Sequence, residues 1–366
     1  MATAVIDVLR GFLPSFLRGR PLLGEAQRRA VWAITRCRTA VMGWHRYACE
    51  KCGRSEFAYH SCNHRSCPLC GRGATREWVE RELDKRVGAP YFMVTFTLPR
   101  ELRGLFRGAG AKEAYDLFFA ASAGALREKL ASPEWLGAAQ SGFTGILHTW
   151  NQRLLFHPHI HYIVPGAGID ADGRVLTVGN ANFLIRVEVL AGAFREHFLN
   201  LLDDAGREFD PAVREMDWGV NVQPFGSGAN AIKYLGAYVC RTAIGDSRIL
   251  SMNDREVSFR WKNRAKGGRT ETETIPGEEF VRRYLLHVLP RGMRAIRYFG
   301  FCHPAAKKKR ERVAFHTGRP ILIGPVPPPV PLPTPRCPCC DTPMIRVASV
   351  RFHRPASRGP PLPART

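Results

Sequence analysis

"HPHIHYIVPG", residues 157–166, sets three histidines at alternate positions and then runs into an apolar stretch. On a strand, side chains alternate between faces, so His157, His159 and His161 share one face and Ile160 points to the other. Two imidazoles two residues apart can chelate one divalent ion. A strand with incidental surface histidines reads the same way, so this stretch alone leaves the choice open. The run before it, "SGFTGILHTWNQ" (141–152), is also strand-like, and a short polar link makes the two a hairpin. With a loop over 151–157, His148 falls roughly opposite His159 as a candidate third ligand; Gln152 is another candidate. Two imidazoles with an open position suit Mg2+ or Mn2+ against a phosphate oxygen, whereas a three-histidine site favours zinc.

Around the hairpin, strands and helices mix. "PYFMVTFTLP" (90–99), "GVNVQPF" (219–225) and "REVSFRWKNR" (255–264) read as strands, and "DADGRV" (170–175) as a turn. Helical spacing runs through residues 1–40, 75–88, 111–130, 186–207, 228–244 and 278–290, the last stopped by Pro290. This mixture predicts an α+β fold with an antiparallel sheet flanked by helices, preceded by a small helical and zinc-binding module. The expected divisions are a helical segment over 1–44, a metal module and its following helix over 45–88, a main domain over 89–317, and a Pro-rich tail without a core over 318–366.

The chain of 366 residues carries a net charge of +22, which points to a polyanion, with nucleic acid as the default partner. The run "AAKKKRERV" (305–313) is either a phosphate contact or a solvated helix face. No apolar run approaches the roughly 18–20 residues of a membrane span. The first residues, broken by Arg10, Pro14 and Arg18, do not form a signal peptide, so a cytosolic location is expected. There the 11 cysteines are metal ligands or buried thiols rather than disulfides.

Cys49-x2-Cys52 and Cys67-x2-Cys70 form two knuckles with the spacing of a four-thiolate zinc site, with Cys62, His60 or His64 able to replace one ligand. Such a module needs its metal to fold. A further pair, Cys337 and Cys340 in "CPCC", has no evident second knuckle and reads as a degenerate or shared site or as exposed thiols.

"AIKYLGAYVCR" puts Tyr234 and Tyr238 one helical turn apart, about 6 Å along the axis, flanked by Lys233 and Arg241 as candidate DNA contacts. An aromatic stripe in a core is the plain alternative. A tyrosine is a poor nucleophile until a metal or base helps it lose its proton.

Taken in order, "CNHRSCPLCG", "VTFTLP", "HPHIHYIVPG" and "YLGAY" resemble the rolling-circle transposases of the insertion sequence 91 family, which belong to the two-tyrosine HUH single-strand nucleases. The resemblance spans roughly residues 15–310, although Cys240 stands where that family carries a histidine. It implies an HUH endonuclease domain in which His159 and His161, with His148 as a possible third, bind Mg2+ or Mn2+, and Tyr234 or Tyr238 attacks single-stranded DNA to give a 5′-phosphotyrosine. It also implies structural Zn2+, partners at transposon ends and target, and a place at the bacterial nucleoid. A replication initiator or relaxase shares this chemistry. A zinc-dependent DNA-binding protein without catalysis is the alternative from another class, and a zinc hydrolase is disfavoured by the lack of H-E-x-x-H.

Overall fold

The computed structural model describes residues 3–19, 21–70, 72–239, 243–318 and 334–351. Helices α1 (Val5–Arg18) and α2 (Glu25–Arg36) lead into a hairpin of β1 (Gly43–Ala48) and β2 (Ser55–Tyr59), then α3 (Arg72–Asp84). Next come β3 (Tyr91–Thr97), α4 (Ala111–Ala131), β4 (Gln140–Trp150), β5 (Phe156–Pro165), β6 (Ala167–Ile169), β7 (Val175–Thr177) and α5 (Val187–Asp204). The chain continues through β8 (Gly219–Pro224), α6 (Ala229–Val239), β9 (Ile249–Met252), β10 (Glu256–Asn263), β11 (Arg269–Pro276) and α7 (Gly277–Leu285). It closes with β12 (Ile296–Gly300), α8 (Lys307–His316) and β13 (Ile345–Arg351).

The main sheet runs β7-β6-β4-β5-β3-β8, with β12 also paired to β4, and its pairings are antiparallel. The class is α+β, as expected. Both faces of the sheet are covered, which is why β5 turns from alternation to continuous burial after His161. One face sets Phe92, Phe96, Ile160 and Tyr162 against Phe118, Phe119, Phe194 and Phe198 of α4 and α5. The opposite face sets Met93, Ile146 and Ile163 against Ile232 and Leu235 of α6 and Trp78 of α3. By strand alternation, Thr95, His148, His159 and His161 lie on this second face, so the histidines and α6 share one side of the sheet.

A second core joins α1 and α2 to β9, β10, β11 and α7, with Leu9, Ile34, Phe259 and Phe280 at its centre. The helices of residues 1–44 therefore share a core with the late part of the chain instead of standing apart. The tip of the β4–β5 hairpin reaches into it. Leu154 is fully buried there at a φ of 60°, held by Asn151, whose Oδ1 accepts from the Arg153 and Leu155 amides at 2.9 Å. The loop between strands is 151–155, shorter than the expected 151–157.

The tail needs correcting. Residues 334–351 are built into the fold: β13 pairs antiparallel with β1, giving a small sheet β13-β1-β2. The Pro-rich composition around them hid a seven-residue strand that follows the "CPCC" turn. The rest of the tail lies outside the described residues. Strand β11, "RTETETIP", was also illegible, because it alternates threonine with glutamate and presents no apolar face.

Candidate metal site and DNA-processing face

Register places His148 of β4 directly opposite His159 of β5, and Thr95 of β3 opposite His161. The three rings of His148, His159 and His161 sit with centroids 4.7–5.3 Å apart. One ligand atom from each lies within 4.8 Å of the others. His159 Nδ1 is 2.7 Å from the His157 carbonyl. A carbonyl only accepts, so that nitrogen carries a proton and Nε2 is the nitrogen left for a ligand. His161 Nδ1 is 2.8 Å from Thr95 Oγ1, a contact that engages Nδ1 with either atom donating and leaves Nε2 for a ligand. His148 is fully buried and stacks on Trp150 with centroids 5.1 Å apart. Burial, with His161 and His159 beside it, pushes its pKa well below the usual histidine value. It is neutral, which is the ligating form of imidazole.

Three clustered imidazoles fit a divalent cation. His157 is not in the group; its carbonyl orients His159 instead. Gln152 sits in the hairpin turn, where its backbone carbonyl accepts from Arg248.

Helix α6 starts after Gly228, whose φ of 76° and ring contact with Tyr91 admit no side chain. Its inner side carries Ala231, Ile232 and Leu235. Gly236 lets it close on α3, since a Cβ there would stand 2.1 Å from Val79 Cγ2. Tyr234 is 41% exposed and Lys233 is exposed beside it. The backbone of Tyr238 continues the helix one turn later. Arg241 and Cys240 lie outside the described residues.

The cysteines do not assemble as expected. Cys49 and Cys52 are not brought to Cys67 and Cys70. The first group is Cys37, Cys62, Cys67 and Cys70, and the second is Cys49, Cys52, Cys337 and Cys340. The reason is the β1–β2 hairpin. Cys49 and Cys52 sit at its turn, about 20 Å of strand from its open end. The chain then returns along β2, where the Arg38 amide donates to the His60 carbonyl at 3.1 Å and sets Cys62 near Cys37. In this group Cys70 Sγ lies 3.4 Å from Cys37 Sγ and 3.6 Å from Cys62 Sγ. Hydrogen bonds with Cys62 and with each other push the Cys67 thiol up and the Cys70 thiol down. Cys62 was named as a possible ligand; Cys37, with no partner at knuckle spacing, was missed.

The small sheet also offers two surfaces that sequence reading missed. An open cavity of about 820 Å3 is lined by Trp32, His45, His60, Arg346 and Arg351 among others. On the sheet's other face Trp44 packs edge-on against Phe57 at 5.1 Å, and Phe57 stacks with exposed Tyr59. The basic run at 307–313 forms the start of α8, whose Val313 is buried against the main sheet's edge and whose Lys309 bonds Gln140 at 2.6 Å.

Comparison with known proteins bears on both halves of this arrangement. A family described as "Transposase zinc-binding domain" matches residues 8–98, and one described as "Putative transposase" matches 142–310. A protein of Sinorhizobium fredii (strain NBRC 101917 / NGR234) named "Putative transposase y4qJ" is 37% identical over 318 residues, covering 81% of this chain and 79% of its own. The chain belongs to the insertion sequence 91 family of transposases. Within that family, the "Transposase for insertion sequence element IS801" of Pseudomonas savastanoi pv. phaseolicola is 25% identical over 307 residues, covering 76% of this transposase and 71% of its own chain. No solved structure gives a significant match. The transposase acts on DNA, and its zinc-binding domain together with the cysteine clusters supports structural Zn2+. No helix among the described residues is long and apolar enough to cross a membrane.

Proposed function

We propose that this transposase cuts and rejoins single-stranded DNA through a covalent tyrosine intermediate, in the rolling-circle manner of the HUH nucleases it resembles. The observation that carries the reading is the three-histidine group on the sheet face that α6 covers with the tyrosine-bearing helix. His148, His159 and His161 would hold a divalent cation that supplies positive charge to a scissile phosphate; with three imidazoles in the group, Mn2+ or Zn2+ suits the donors better than Mg2+. Thr95 and the His157 carbonyl hold the ligand nitrogens toward the cation. The phenolic oxygen of Tyr234 or Tyr238 forms a bond to phosphorus as the bond from phosphorus to the 3′ oxygen breaks. The phenolic proton leaves, and the departing oxygen takes up a proton to become a 3′-OH. One ester replaces another, so the strand end is stored on the protein and the reverse attack by a 3′-OH rejoins it. A second tyrosine one turn away gives a second strand end its own place.

Lys233 and Arg241 supply phosphate contacts beside the tyrosines. The exposed rings Phe57 and Tyr59, with Arg46 on the same strand pair, suit stacking of unpaired bases, which favours a single-stranded substrate. A DNA-binding protein without catalysis leaves the cluster of three imidazoles without a role.

The test is incubation of the protein with labelled single-stranded DNA from an element end and Mg2+ or Mn2+, followed by a denaturing gel. The expected product is an SDS-resistant adduct that the Tyr234→Phe, Tyr238→Phe double variant does not form. An adduct that persists in that variant removes the tyrosines from the mechanism. No adduct with any metal favours the binding-only protein.

A further inference from the structure

We propose that Cys49, Cys52, Cys337 and Cys340 form a second four-thiolate zinc site, which fastens the C-terminal strand β13 to β1. Cys337 and Cys340 lie outside the segments matched to either family, 8–98 and 142–310, and this site goes beyond the transposase reading.

The sulfur geometry comes first. Cys49 Sγ lies 3.5 Å from Cys340 Sγ, Cys52 Sγ lies 3.5 Å from Cys337 Sγ, and Cys340 Sγ lies 3.8 Å from Cys52 Sγ. Zinc–sulfur bonds of about 2.3 Å in a tetrahedron put sulfurs about 3.8 Å apart. A disulfide needs about 2.05 Å. The four sulfurs thus stand at metal-site spacing although up to 291 residues separate the partners.

The two turns that carry them share one backbone design. The Cys49 amide donates to the Arg54 carbonyl at 2.9 Å, and the Gly53 amide donates to the Cys49 carbonyl at 2.9 Å. In the same positions, the Cys337 amide donates to the Thr342 carbonyl and the Asp341 amide to the Cys337 carbonyl, both at 2.8 Å. Gly53 has a φ of 72° and Asp341, its counterpart, 54°. An aspartate in the left-handed region carries backbone strain that a surrounding structure must hold. Arg336 grips its carboxylate through two bonds of 2.8 and 2.9 Å. Two matched knuckles facing each other are a built site. Cys339, between the ligands, is exposed and lies outside the group.

Beyond its pairing with β1 and a 2.9 Å bond between Ser349 and His45, little fixes β13 among the described residues. Most of its residues are exposed, and the small apolar cluster at its base is Cys49, Cys337 and Met344 with Tyr47 and Cys340. As the outer strand of a small sheet with little buried face, β13 is marginal in water without a further tie, and the metal is that anchor. The site also sets Arg346 and Arg351 into the wall of the cavity shared with His45 and His60.

The test is zinc per chain by elemental analysis of the full-length protein, combined with amide hydrogen exchange over 345–351. The Cys337→Ser, Cys340→Ser double variant is expected to lose one zinc equivalent and the exchange protection of β13. It should keep the protection of β3 and β5, which reports that the main domain still folds. Cys339→Ser should match wild type in both readouts. A double variant with unchanged zinc content overturns the proposal, as does lost zinc with β13 protection intact. Loss of zinc in Cys339→Ser overturns the ligand set. None of these readouts depends on strand cleavage.

Discussion

Thr95 places its hydroxyl 2.8 Å from His161 Nδ1, a contact that occupies Nδ1 and orients the ring with Nε2 available to a cation. Thr95→Val keeps the shape and removes the oxygen. It is expected to weaken Mn2+ binding about 10–100-fold, the usual cost of losing an orienting partner of a ligand histidine, while Thr95→Ser restores it. A Mn2+ titration reads this directly; equal affinity in Thr95→Val and wild type would deny Thr95 an orienting role. At this scale the sequence was partly legible. Alternation alone put His159 and His161 on one face, and an assumed hairpin placed His148 near them. The part played by His157 was not legible, because it acts through its backbone carbonyl. The cysteine partners were misread for a different reason. Spacing reveals which cysteines form a knuckle, but not which knuckles meet when a hairpin keeps adjacent ones apart.

Among elements, the approach of α6 to α3 decides where the tyrosines sit. Gly236→Ala sets two effects against each other. Helix propensity gains about 1 kcal/mol. Overpacking against Val79, at a 2.1 Å clash, costs about 1–3 kcal/mol. The clash should win, lowering the thermal midpoint, and adding Val79→Ala should recover most of the loss. A stabilised Gly236→Ala protein would mean that α6 does not pack as described. In the main sheet β3, β4, β5 and β8 were legible from their aromatic and β-branched runs. Strands β9, β11 and β12 were not, since short or polar edge strands carry no period-two apolar signal.

On the scale of the whole molecule, the histidine hairpin is gripped at its tip by a distant part of the chain. Arg153 bonds Glu273 through two contacts of 2.8 and 2.9 Å, and Arg283 reaches Glu273 and Glu279 at 2.9 and 2.8 Å. Bonds from Arg282, joined by those from Arg283, hold the Glu279 carboxyl down at about 2. Burial raises Glu273, but Arg153 and Arg283 outweigh it and leave that carboxyl low as well. A carboxylate depressed in the folded state stabilises the fold above its unfolded value, about 4.3. That contribution is lost as pH falls towards 2. The urea midpoint of the protein should therefore drop as pH is lowered from 5 to 2.5, and the drop should be shallower in Arg283→Met. Equal slopes would show that the network does not bear on stability. Such long-range closure was illegible in the sequence. The charge of +22 pointed to nucleic acid, but nothing local said that residues 1–44 share a core with β10 and α7, or that "CPCC" returns to β1.

The central claim is that DNA becomes joined to a tyrosine of α6. Peptide mapping tests it most directly. The adduct formed with single-stranded DNA and Mn2+ is digested with nuclease and trypsin, and the peptide bearing the residual nucleotide is sequenced by mass spectrometry. The account predicts that the mass lies on peptide 234–241, at Tyr234 or Tyr238, attached through a 5′ phosphate. Attachment to any other residue, or strand cleavage that leaves no covalent peptide, would contradict it.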